Sequence, residues 1–192
     1  MSVHHSPASR HDAESYFALA EEGLIAPDDR TELLDGVIVA MAPQSPMHAA
    51  GVYRVEQALR AAFPPETVIR TQMSFVAGAA SVPEPDLAVL CGQEDDYVTR
   101  HPSAALLVVE VAVTTVAQDR LTKARIYAGA GVKNYWIVQP EQEWVEAYTD
   151  VRAKQRVYGS CSRVGPGQSL TLDGAPEILV AASTLFPRRT LC

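Results

Sequence analysis

The chain has 192 residues, 47% apolar and 20% charged, enough to bury a core without disulfides and ordinary for a globular protein. Sixteen basic against 23 acidic residues leave a net charge of −7. That counts against a general nucleic-acid binder with a basic excess, while a local basic groove stays open.

No apolar run approaches the ~20 residues of a membrane helix, and the opening MSVHHSPASRHDAES has neither a basic leader nor an apolar signal core. Cys91, Cys161 and Cys192 are odd in number and contain no CxxC pair. They fit reduced thiols in the cytoplasm better than a disulfide framework or a zinc site. Residues 1–10 are expected to be a flexible tail, and residues 11–192 one domain, since no repeat, low-complexity tract or linker divides them.

In chain order, Asp12–Glu22 reads as a short helix with Asp12 as N-cap and Gly23 as stop. Thr31 to Pro43 (TELLDGVIVAMAP) has the form of a hairpin turning at Asp35-Gly36. Pro46–Phe63 reads as an amphipathic helix with Val52, Val55, Leu59 and Ala62 on its apolar stripe, ended by Pro64-Pro65. Thr67–Val76 alternates as a strand, Gly78–Ser81 is a turn, and Leu87–Leu90 is a strand. The acidic loop Gly92–Arg100 leads to Leu106–Val113, a strand apolar on both faces and therefore interior to a covered sheet.

Helix Gln118–Ala130 and strand Asn134–Val138 complete a βαβ unit, predicting a right-handed crossover between parallel strands. Trp144–Thr149 and Gln155–Tyr158 extend the sheet as an antiparallel hairpin. Gly165–Gly174 reads as a turn-rich loop, and Glu177–Phe186 closes the chain. The fold class is α/β, with Tyr135 and Trp136 in its core.

Two stretches break the apolar logic. PEPDLAVL (Pro83–Leu90) and LLVVEVAV (Leu106–Val113) place a carboxylate, Asp86 or Glu110, in or beside a β-prone apolar run. Burying an ionised carboxylate among Val and Leu is expensive unless it is paired or binds a metal. Asp86 after Pro85 could simply cap a strand-opening turn. Glu110 has no such excuse, and its bland reading is a buried ion pair with Lys123 or Arg125. Asp119 and Lys123, four apart on a helix, read as a surface pair.

In this order and spacing, ELLDGVIVAMAP with His48 downstream, PEPDLAVL, LVVEVAV, the Asp119 and Lys123 pair, and AGAGVKNYWIV resemble the Uma family of putative endonucleases within the PD-(D/E)XK nuclease superfamily. The resemblance covers about Tyr16 to Tyr148. It implies a restriction-endonuclease-like mixed sheet flanked by helices, with an additional N-terminal hairpin and both carboxylates at one end of a central strand pair. Ala112 stands where the superfamily pattern places a lysine two residues after the glutamate. Lys123 matches the family's substitute on the following helix. Val113-Thr114-Thr115-Val116 replaces a Ser-Pro-Ser-Thr-like segment.

The implied activity is Mg²⁺-dependent hydrolysis of DNA phosphodiester bonds, with Mn²⁺ able to replace Mg²⁺. Asp86, Glu110 and the Val111 carbonyl would hold the metal, and Lys123 would orient the attacking water or stabilise charge on phosphorus. Glu32 and His48 are secondary candidates: the first could reach the metal through water or pair with an arginine, and the second could contact phosphate or a carboxylate. Arg54, Arg60 and Arg70 could offer a phosphate-binding surface. DNA is then the substrate, no membrane is involved, and a homodimer is an open alternative. The rival from another class is a catalytically inactive nuclease-fold domain used for protein or nucleic-acid interaction, favoured by the acidic charge and the altered Val113–Val116 segment. A hydrolase acting on another phosphate ester is a third reading.

Overall fold

The computed structural model describes residues 10–26 and 28–187. Almost all of the expected flexible tail, and Cys192, lie outside those residues. Helix α1 (Ala13–Glu21) starts where Asp12 accepts the Ser15 backbone N–H at 2.8 Å. Strands β1 (Thr31–Leu34) and β2 (Val37–Ala40) form the N-terminal hairpin. Its two turn residues, Asp35 (φ 47) and Gly36 (φ 83), are both left-handed, the twist that closes a two-residue hairpin.

Helix α2 (Pro46–Ala62) is capped by Ser45, with Pro46 in its first turn. Its buried stripe of Val52, Val55 and Leu59 packs on one face of the main sheet, against Val109 and Val111. The sheet comprises β3 (Val68–Thr71), β4 (Leu87–Leu90), β5 (Leu107–Val111), β6 (Asn134–Gln139), β7 (Trp144–Arg152) and β8 (Val157–Val164), ordered as numbered. Only β5 and β6 are parallel; every other neighbouring pair is antiparallel. The βαβ crossover joins those two through α3 (Val116–Gln118), a π-helical turn (Asp119–Lys123) and α4 (Ala124–Gly129). Ala124 and Tyr127 from this crossover pack with Val108, Tyr135 and Ile137 on the opposite face from α2. The expected fold class therefore holds: a mixed sheet flanked by helices, with an added N-terminal hairpin.

Two local expectations are corrected. The strand expected over Thr67–Val76 stops at Thr71 because Gln72 turns left-handed (φ 53) and points its N–H at the Pro85 and Asp86 carbonyls. The loop expected over Gly165–Gly174 contains β9 (Ser169–Leu172), which pairs with β10 (Ala175–Ala181). Leu170, Leu172 and Val180 of this hairpin are buried in the same core as α2, so its alternation serves a small second sheet. The helix expected over Gln118–Ala130 is present and contains five π-helical residues.

Sheet register positions the site. Leu87 pairs with Val109 and Ala88 with Val108, so the next residue back, Asp86, stands opposite Glu110. Glu110 pairs in turn with Ile137, Ile137 with Glu146, and Glu146 with Arg163. Residues opposite one another share a face; Glu110 and Ile137 of this row look toward the crossover helix, while Asp86 at its end also meets His48 of α2.

Candidate active site

Asp86 lies at the mouth of β4 and is 7% exposed. Its Oδ2 accepts the Val111 backbone N–H at 2.8 Å and lies 3.1 Å from His48 Nε2, while Oδ1 accepts from Gln72 Nε2 at 3.1 Å. Burial pushes its pKa up, but the His48 contact, the Val111 amide and Gln72 outweigh burial and leave it below the ordinary value. Val111 was expected to contribute its carbonyl; the contact seen is through its N–H.

Glu110 is 4% exposed in the middle of β5. Its Oε1 takes Lys123 Nζ at 3.1 Å and the Tyr127 hydroxyl at 2.7 Å. Burial drives its pKa well up, against the pull of Lys123 and with the push of Asp119, Asp86 and Glu32. Lys123, 5% exposed, also binds Glu32 Oε1 at 2.9 Å. Burial disfavours its ammonium, yet Glu110, Glu32 and Asp119 outweigh burial and hold its pKa well above the usual lysine range. Glu32, on β1, is 3% exposed and accepts the Glu84 backbone N–H at 2.7 Å. The N-terminal hairpin thus helps enclose the site.

Glu32, His48, Asp86, Glu110 and Lys123 all line one cleft of about 330 Å³, with Asp119, Thr114, Thr115 and Gln118 along its crossover side. Five side chains singled out from the sequence are thereby brought together. The bland reading of Lys123 fails, since Asp119 and Lys123 are 2% and 5% exposed and the ion partners of Lys123 are Glu32 and Glu110. The alternative of a Glu110 ion pair with Lys123 is present, while Arg125 pairs with Asp35 at the hairpin turn. Arg54, Arg60 and Arg70 do not line the cleft. Arg60 binds Glu56 on its own helix and Arg70 lies over the Tyr97 ring. Tyr135 and Trp136 are fully buried, as expected of core.

Sequence reasoning missed Gln72, Tyr127 and the buried placement of Asp119. Gln72 carries no sequence signal, because only its left-handed turn aims it at Asp86. Tyr127 had one: it falls four residues after Lys123 and eight after Asp119 on a single helical stripe.

Among the described residues no three His, Cys, Asp or Glu side chains form a ready metal-ligand set. What the cleft offers a cation is a pair. A carboxylate has about four acceptor positions; three on Asp86 face Gln72, Val111 and His48, and two on Glu110 face Lys123 and Tyr127. One position on Asp86 and two on Glu110 remain. One or two carboxylates completed by water is how Mg²⁺ is commonly bound, so the donor set fits a hard cation in that mode.

Among solved structures, the fold is similar to the crystal structure of a putative nuclease belonging to DUF820 from Anabaena variabilis. The two share 16% identity and a TM-score of 0.67 over 86% of this chain and 95% of that one. No curated protein matches the chain. No helix among the described residues is long and apolar enough to cross a membrane. The family model Uma2, described as putative restriction endonuclease, matches residues 13–182.

Proposed function

Because the chain belongs to the Uma2 family of putative restriction endonucleases, we propose that it is a metal-dependent endonuclease hydrolysing phosphodiester bonds of DNA. The observation that carries this is the meeting of Asp86, Glu110 and Lys123, from the mouth of β4, from β5 and from the crossover helix, in one cleft. Asp86 and Glu110 would hold Mg²⁺ or Mn²⁺, which would neutralise the phosphate and polarise its oxygens. Lys123, kept cationic by Glu32 and Glu110, stabilises negative charge developing on phosphorus. Tyr127 and Glu32 fix Glu110 and Lys123 in place. Gln72 and His48 fix Asp86.

A nuclease-fold domain that binds without cutting is the second reading. It is favoured by the closed network in which both carboxylates already have protein partners.

Divalent binding and plasmid nicking on two variants separate the readings. A cation that binds only the folded protein raises the melting temperature by mass action. Asp86→Asn should abolish both that rise and nicking. Lys123→Ala should keep the cation response while nicking falls by about a hundredfold or more, the scale of losing one electrostatic donor. A wild-type protein that binds DNA but neither responds to Mg²⁺ or Mn²⁺ nor nicks would establish the second reading instead.

A further inference from the structure

Hydrolysis of a phosphodiester requires the attacking water to lose a proton, so the proposed nuclease needs a group to take it. Lys123 cannot, because its ammonium has no lone pair while Glu32 and Glu110 hold it at 2.9 and 3.1 Å. Glu32 and Glu110 each commit an oxygen to that ammonium. Asp86 is surrounded by His48, Gln72 and the Val111 amide, which makes it a weaker base than a free carboxylate.

Asp119 differs from all of these. It lines the cleft at 2% exposure and accepts a hydrogen bond from Thr115 Oγ1 at 2.7 Å. No ion pair of its own is formed among the described residues. The π-helical turn puts Asp119 and Lys123 on its buried side while Arg120 and Leu121 point outward. Single π turns within helices are frequent at functional sites.

We infer that Asp119 is the general base of this cleft, taking the proton of the water that attacks phosphorus. The inference rests on the nuclease reading above. In the step, the water oxygen forms the new bond to phosphorus and its proton passes to an Asp119 carboxylate oxygen. The phosphorus–oxygen bond to the sugar breaks, and the departing alkoxide takes a proton from solvent.

The surroundings suit the role. Burial raises the Asp119 pKa to about 6, with Lys123 and the Thr115 hydroxyl pulling it down and Asp86 and Glu32 pushing it up. Glu110 on β5 and Tyr135 on β6 also interact with it. Such a carboxylate is ionised at neutral pH yet holds a proton more firmly than a surface aspartate, as a base working near neutrality must.

The test is the pH profile of DNA cleavage with Mg²⁺, from about pH 5 to 9, for wild type, Asp119→Asn and Thr115→Val, with DNA affinity measured in parallel. The wild-type rate should climb as Asp119 ionises near pH 6 and then level. Asp119→Asn should lose that inflection and fall by about a hundredfold or more with DNA affinity retained. Thr115→Val, which removes the hydroxyl that lowers the Asp119 pKa, should move the inflection to higher pH.

Cleavage by Asp119→Asn near the wild-type rate overturns this assignment while leaving the nuclease reading standing. An inflection in Thr115→Val that does not move also overturns it. A wild-type protein that cuts at no pH overturns both.

Discussion

Lys123 offers the sharpest test of the structure, because two readings of it differ several-fold in free energy. As one member of a surface i, i+4 pair it would contribute less than about 1 kcal/mol. Here its ammonium bridges Glu32 and Glu110, which are 3% and 4% exposed. Lys123→Met would leave both carboxylates buried without their cation, a loss of about 3–5 kcal/mol. With a urea slope of about 2 kcal/mol per molar, the unfolding midpoint should drop by roughly 1.5–2.5 M.

The deficit should also depend on pH. Burial already holds the Glu110 pKa well above its unfolded value, and Lys123 is the largest influence opposing that rise. Removing Lys123 lifts it further. An acid with a raised folded pKa binds more protons folded than unfolded, so its stability falls as pH rises from the unfolded toward the folded pKa. The Lys123→Met deficit should therefore be smallest near pH 5 and grow toward pH 8. Urea titrations at these two pH values, followed by circular dichroism, measure it. A loss under about 1 kcal/mol, flat with pH, would refute the buried bridge.

Asp119→Asn should stabilise the protein at high pH. The Asp119 pKa rises from 3.8 to about 6 on folding, which at 1.36 kcal/mol per unit destabilises the charged form by up to about 3 kcal/mol. Thermal unfolding should show the variant gaining on wild type as pH climbs from about 4 through 6, and a gap independent of pH would contradict the burial of its charge. Gly51→Ala should destabilise by about 1–3 kcal/mol in denaturant titration, although alanine favours helices. A Cβ there would sit 2.7 Å from Val111 Cγ1, so either the Val111 side chain or α2 itself must shift. Unchanged stability would mean that α2 does not lie on Val111.

The sheet was legible where local chemistry and burial agree. Leu106–Val113 is apolar on both faces because it lies between two covered layers, and that pattern led to the parallel β5–β6 pair. Asp35-Gly36 announced its hairpin because both positions need a left-handed backbone. Elsewhere tertiary contacts overrode local pattern. Thr67–Val76 could have continued as a strand, but Gln72 spends its N–H on the Pro85 and Asp86 carbonyls and the chain turns away. Ser169–Leu172 looked like loop among glycines, yet its burial alternates because β10 and α2 cover one side of it.

For the candidate site, the decisive signal was polarity in the wrong place. Glu110 was recognisable because strand alternation left it no solvent. Its register partner Asp86 was recognisable only as a candidate, since a turn could have explained it. The crossover helix held the same kind of signal, which went unread. Asp119, Lys123 and Tyr127 recur every four residues in line with the apolar Ala124 and Ala128, so the charged pair extends a buried stripe. Charged residues on a helix are assumed to face water because burial without partners is prohibitive. The partners were Glu32 and Glu110, on strands 91 and 13 residues away in the chain from Lys123. Nothing local to the helix names them, and a stripe that turns from apolar to charged without changing face is the only trace they leave in the sequence.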